Sequence, residues 1–298
     1  MFGKKTAARG PNPCAALALT VAMASPAALA LDVDAGDYTA LPPGTNLFLA
    51  YSQFAQRDAL YANGSKQRID AGLDSSVGIL RGVHFTSIGG YTVDPQFLLP
   101  FGKLEANDDL AMLGDSSGVG DLILAATVWL VNDANSNRYF GITPFVYVPI
   151  GDYDRNDALN LGENRWKFTL QAGYITGLGE QLSLDLIGDV TLYGQNDDYG
   201  AARAELEQDP SFQAQTHLRY SVQPNWDLRA GVSYSIGGET EIEGIAQDDE
   251  ARVWKMTIGT AWFPAPTWQV MANYGRDLSV ENGFKEAHRV NLRLLKVF

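Results

Sequence analysis

The chain has 298 residues, with 22 Lys and Arg against 35 Asp and Glu, a formal net charge of −13. This acidity excludes a nucleic-acid partner, whose binding rests on basic surface, and the single cysteine, Cys14, excludes a disulfide framework. No long apolar run follows Ala30, so no helix is expected to cross a membrane.

Residues 1–30 read as a cleaved secretory signal. Lys4, Lys5 and Arg9 form a basic head, CAALALTVAM an apolar core, and Ala28-Leu29-Ala30 a small-residue cleavage site. Removing its three cations takes the formal charge from −13 to −16. The mature chain, 31–298, then enters an oxidising compartment with no cysteine, so its stability must come from elsewhere. Residues 31–44, LDVDAGDYTALPPG, contain Pro42 and Pro43, which bar a central strand. They are expected to form either a periplasmic tail or a plug inside the fold.

From there the chain alternates with a period of two. In RWKFTLQAGYIT, Trp166, Phe168, Leu170 and Ala172 share one face and Lys167, Thr169, Gln171 and Gly173 the other. Side chains alternate across a strand in this way. The pattern predicts twelve strands, near 45–55, 69–84, 90–102, 119–131, 138–150, 165–177, 181–193, 211–222, 225–236, 252–262, 267–276 and 287–298. NDANSN, GLGE, VQPN and PAPT are short turns built from Gly, Pro and Asn. Between them lie longer polar or acidic loops near 56–68, 103–118, 151–164, 194–210, 237–251 and 277–286. An even strand count with alternating short and long connections predicts an all-β fold, a transmembrane antiparallel up-and-down barrel of the Gram-negative outer membrane. Closure leaves no sheet edge, the condition strands must meet in lipid.

The aromatic residues fit that expectation. Trp129, Trp166, Trp226, Trp254, Trp262 and Trp268 all fall near strand ends, where indoles form a girdle at the headgroups; Trp129 has the parity of the inward face. The chain ends HRVNLRLLKVF, with Val290, Leu292, Leu294 and Phe298 on one face and Lys296 interrupting it. Such an apolar terminal strand resembles the signal read by outer-membrane assembly machinery.

GDYTALPPGTNLFLAY near the start, LPFG at 99–102, GVGD at 118–121, YFGITPFVYVPIGDYDRNDALNLGENRW at 139–166 and GQND at 194–197 resemble the meta-pathway phenol-degradation family. The resemblance spans nearly the whole mature chain. It implies an outer-membrane barrel found near genes for catabolism of aromatic and other hydrophobic compounds, with a transport or channel role and no catalytic residues.

The same parity gives a polar lumen: Lys167, Asp185, Asp189, His217, Arg219, Asp227, Arg229, Lys255 and Arg293. Most are expected to form a structural charge ladder, for example Asp185 with Arg219. Ile123, Trp129, Tyr147, Ile187 and Tyr193 are apolar or aromatic lumen candidates. His84, His217 and His288 join no nucleophile constellation, so no enzyme is expected, and no cofactor motif occurs. In DYDRNDALNLGE, Asp152, Asp154, Asn156 and Glu163 fall at positions 1, 3, 5 and 12 of a calcium loop, but Asp157 replaces the turn glycine. A solvated loop is the stronger reading. The expected function is passive uptake of a small hydrophobic or aromatic substrate, with outer-membrane lipid and lipopolysaccharide as surroundings. The alternatives are a closed structural or lipid-interacting barrel and a narrow general porin.

Overall fold

The computed structural model describes residues 32–298; the expected signal at 1–30 lies outside them. Twelve long strands form the wall: β1 (Asn46–Ala62), β2 (Ala71–His84), β3 (Tyr91–Asp108), β4 (Leu122–Asp133), β5 (Arg138–Val148), β6 (Lys167–Gly177), β7 (Leu182–Tyr193), β8 (Ser211–Gln223), β9 (Trp226–Ile236), β10 (Arg252–Ala265), β11 (Trp268–Val280) and β12 (Gly283–Val297). Each pairs antiparallel with its sequence neighbours, and β12 returns to β1 from Leu47↔Val297 to Tyr61↔Gly283. Among the described residues the only helix is a 3-10 turn at Ala111–Leu113.

The outward face is an apolar belt. Phe54, Leu170, Leu186, Leu218, Leu228, Ile258, Leu292 and Leu294 are all exposed. A belt of this extent needs a non-aqueous partner. At the end carrying the short turns, Phe298 closes the ring: its N–H donates to Asn46 O at 2.9 Å.

At the opposite end the strands outrun the sequence-based expectation. Much of 56–68, 103–118 and 277–286 is strand rather than loop. Asn63 and Gly64, both with positive φ, turn β1 back into a short return at Ser65–Lys66, and only Glu281-Asn282 joins β11 to β12. Polar residues occupy both faces there, so the period-two signal fades although the ladder continues. The two long loops after β7 and β9 build a small sheet of their own, from Asn196–Tyr199, Ala204–Gln208, Thr240–Ile242 and Ile245–Ala246.

Candidate functional site: the barrel lumen

Residues 32–41 run inside the barrel. Pro42 and Pro43 keep the segment out of the sheet, and the wall supplies its partners. Asp32 accepts from Lys255 at 3.2 Å, Arg289 at 2.8 Å and Gln213 at 3.1 Å. Asp34 accepts from Arg293 at 3.1 Å and Asn273 at 2.9 Å. Asp37 lies between Arg293 at 2.7 Å and Arg81 at 2.8 Å. Arg229 donates to Ala35 O, and Gly36 N–H donates to Asp185. Burial pushes the Asp37 carboxyl up, but Arg293 and Arg81 outweigh it and hold the pKa below its ordinary value. Burial acts the same way on Asp32, and there Lys255 and Arg289 prevail.

Tyr38 is the segment's apolar anchor. Its ring lies against Gly141 and Gly173; a Cβ at Gly173 would collide with it, and one at Gly141 would press on it and on Thr127. Its hydroxyl lies 3.0 Å from Thr143 Oγ1 and donates to Gln171 at 3.0 Å. Trp129 Nε1–H donates to Tyr38 O, and the indole stacks on Phe85. With Leu49, Val83, Tyr139, Ile175 and Leu295 these residues form an apolar cluster at the short-turn end.

Two further apolar groups continue from that cluster. Leu98, Ile123, Phe145 and Tyr147 line the middle of the lumen on β3–β5. Leu60, Leu73, Leu104, Leu110, Leu159 and Leu161 line the long-loop end. Between this wall and residues 32–38 lies a cavity of about 230 Å³. Its other side is charged. Glu286 is 2 % exposed at its side chain and bridges Arg57, Arg289 and Lys255. The ionisable residues lining the cavity balance: Arg57, Arg81, Lys167, Lys255 and Arg289 face Asp32, Asp34, Asp37, Asp121 and Glu163.

Residues 57–294 match the family model described as "Putative MetA-pathway of phenol degradation". The chain belongs to that family. It is 46% identical to the COG4313 outer membrane channel from Pseudomonas putida F1, covering 90% of this chain and 100% of that one with a TM-score of 0.86. The β-domain of the Bordetella autotransporter BrkA shares the fold alone, at 10% identity and a TM-score of 0.51, with coverage of 86% and 100%. No protein with curated function matches. Family membership fixes the setting as the Gram-negative outer membrane, with lipid around the apolar belt. In such barrels the short turns face the periplasm and the long loops the outside.

The lumen residues expected from parity lie as follows. Lys167, Asp185, Asp189, His217, Arg229, Lys255 and Arg293 are buried inside the wall, with Arg219 and Asp227 partly so. Arg219 donates to Asp185 at 3.1 Å, and Arg229 pairs with Asp227 on its own strand at 2.7 Å. Trp166, Trp226, Trp254, Trp262 and Trp268 are exposed near strand ends. Trp129 is a correction: it is 2 % exposed and belongs to the lumen cluster, not the girdle, because its odd-numbered parity with Ile123 and Thr127 turns it inward.

The calcium-loop residues are also committed elsewhere. Asp152 accepts from Val119 N–H, and Asp154 accepts from Asn156. Glu163 is buried between Lys167 and Arg165. Burial raises its pKa, yet these two cations hold it down at about 2. No metal-holding group of His, Cys, Asp or Glu occurs among the described residues. Asp121, the last residue of the GVGD stretch, explains that motif: it accepts the N–H groups of Gly151 and Glu163 at 3.0 Å each and so ties the 149–166 loop to the wall.

Sequence reasoning missed Glu286 and Arg57, because both fall in stretches assigned to loops. It missed the roles of Asp32, Asp34 and Asp37 because their partners Arg289 and Arg293 lie 256 to 259 residues away along the chain. The Asn-Gly pair at 63–64 was an available hairpin signal for extending β1.

Proposed function

We propose that the protein is a channel for passive uptake of small hydrophobic or aromatic compounds across the outer membrane. The observation that carries this is the apolar strip inside the lumen, from Leu73, Leu104 and Leu161 at the outer end, through Leu98, Ile123 and Phe145, to Tyr38 and Trp129 at the periplasmic end. A dry apolar cavity of about 150 Å³ holds benzene, so the space here is sufficient for one substituted ring. Burying a ring of ~150 Å² releases roughly 4 kcal/mol at ~25 cal/mol/Å². That is enough to favour occupancy and shallow enough to permit release, as conduction requires.

The balance of lining charges argues against a general porin. A polar ion entering the cavity meets side chains already engaged with one another, and the acidic outer loops repel anions. The outward apolar face of β12 ending in Phe298 fits recognition by the assembly machinery, and the acidic loops fit a lipopolysaccharide surface bridged by divalent cations.

The test is growth of a deletion strain on an aromatic carbon source at limiting concentration. Slow growth rescued by the intact gene supports the channel. Unchanged growth on aromatic, terpenoid and fatty substrates, with no conductance in planar bilayers, would leave a closed structural barrel as the better reading.

A further inference from the structure

Towards the long loops the lipid-facing surface is apolar around most of the ring, and one sector breaks the rule. On β5 to β9 the outward residues at this level are Val146, Phe168, Leu192, Phe212 and Val232, all exposed. On β3, Lys103 lies 2.9 Å from Glu105 and 3.5 Å from Asp115 and is neutralised within the protein. On β11 and β12 the same level carries Arg276, Lys285 and His288, and none of the three forms an ion pair among the described residues.

Arg276 is exposed between buried Gly275 and Asp277, so it points into lipid. Its guanidinium makes no hydrogen bond or ion pair with any described residue. Its depth follows from the strand. At about 3.3 Å per residue, the climb from Trp268 in the periplasmic girdle to Arg276 is roughly 26 Å along β11, or about 20 Å along the membrane normal at a tilt of about 40°. The apolar band of such barrels is about 25 Å tall, which places Arg276 in the outer leaflet just below the headgroups. Trp254, in the outer girdle, pairs with Ser279 on the same strand. A charge at this depth is costly unless paired, and the wall does not pair it.

Further cations gather beside it. β11 and β12 pair up to Gly275↔Arg289, so Arg276 and His288 stand side by side one step above. The Tyr274 hydroxyl lies 2.8 Å from His288 Nδ1 and holds the imidazole on this face. Lys285 Nζ lies 3.4 Å from Leu278 O, two residues above Arg276, so the ammonium is swung over β11. Arg252, at the rim, is taken up by Glu250 at 2.6 Å and Glu281 at 3.4 Å. On the adjoining β1, Asp58 is exposed and ion-paired to none of these cations. Beneath them the face is greasy again, with Ile258 and Val290 flanking Tyr274.

We propose that this sector binds one molecule of lipopolysaccharide by direct contact, with a phosphate of its lipid anchor between Arg276 and Lys285, His288 at the edge, and acyl chains against Ile258 and Val290. The cations lie in the outer leaflet, where this lipid carries its phosphates directly above the hydrocarbon. The acidic loops around the mouth repel such phosphates unless a divalent cation intervenes, so this sector is where the protein can meet them unaided. A zwitterionic phospholipid brings its own cation to each phosphate and competes with Arg276 and Lys285 for it. Guanidinium and phosphate pair through two parallel charge-assisted hydrogen bonds, and the low dielectric beside the hydrocarbon strengthens them. The site depends on the outer-membrane setting alone and is independent of what passes through the lumen.

Protein extracted from outer membranes in mild detergent and washed with EDTA should retain one lipopolysaccharide per barrel in native mass spectrometry. Arg276→Gln with Lys285→Gln should cut the retained fraction at least tenfold. Arg276→Lys keeps a cation at the same depth and should retain most of it, and Lys103→Gln on β3 should change nothing. Heat-resistant gel mobility reports folding in each case. Should the double variant misfold, Arg276→Gln alone is set against Arg276→Lys, and equal retention by the two would overturn the site. Wild-type retention by a folded double variant would overturn it too. Loss of lipopolysaccharide from the wild type on EDTA washing would overturn direct contact and leave divalent bridging at the acidic loops. A wild-type barrel that carries phospholipid in its place, lost in the double variant, would overturn the assigned ligand.

Discussion

Replacing Gly173 with alanine should loosen residues 32–44 without unfolding the barrel. A Cβ at Gly173 would overlap Cγ and Cδ2 of the Tyr38 ring, so the ring must be displaced or strained. Overpacking of this kind costs about 1–3 kcal/mol. If the ring leaves instead, its hydroxyl contacts with Thr143 and Gln171 are lost, worth about 1 kcal/mol each. Either way the docked segment is weakened by about 2 kcal/mol, roughly thirtyfold in the ratio of docked to undocked forms at 1.4 kcal/mol per tenfold. The strand ladder is not touched, since Gly173 keeps its partners Gly141 and Ile187. Single-channel recording should show more frequent or larger openings, and protease should cut within 32–44 from the periplasmic side, while heat-resistant gel mobility stays unchanged. Conductance and cleavage identical to wild type would refute the argument that Tyr38 anchors the segment.

Glu286→Ala should destabilise the barrel by about 3–5 kcal/mol in urea unfolding, because it strands Arg57 inside the wall and leaves Arg289 and Lys255 only Asp32 to share; Glu281→Ala, whose partner Arg252 is exposed, should leave stability unchanged. Glu163 has a folded pKa of about 2 against an ordinary 4.5. Its stabilisation of the 149–166 loop is therefore fully present above pH ~4.5 and is lost as pH falls through ~2. Amide protection factors across residues 160–166, corrected for the intrinsic exchange rate, should fall only in that window, and a fall already at pH 6 would contradict the assignment. Phe298→Asp should impair assembly into the membrane far more than Asn291→Asp, which faces the lumen; equal membrane yields of the two would remove the closure-signal argument.

The barrel was legible because lipid imposes a strict rule. Wherever strands cross hydrocarbon, Leu170, Leu186 and Leu218 must alternate with Gln171, Asp185 and His217, and the period of two stands out. Above the membrane that pressure ends. The upper parts of β1, β3, β11 and β12 have polar residues on both faces and read as loops, which hid Arg57 and Glu286. Trp129 shows the same limit from within the membrane: its place near a strand end suggested a girdle, but its parity decided its side. The contents of the lumen were the least legible part. Asp32, Asp34 and Asp37 look like a polar tail in sequence, and only the closed sheet brings Arg289 and Arg293 to them. The apolar strip is likewise assembled from separate strands and the 149–166 loop, and no local pattern announces it.

The most direct test of a greasy path for hydrophobic uptake is to make that path polar. Ile123 and Phe145 line the cavity and are buried within the wall. Initial uptake of radiolabelled toluene should be compared between deletion cells carrying the wild-type gene and those carrying Ile123→Asn with Phe145→Asn, with matched barrel levels in the membrane. The double variant should fall to the rate of cells without the protein while uptake of a small sugar is unaffected. Toluene uptake equal to wild type in the double variant would contradict the account.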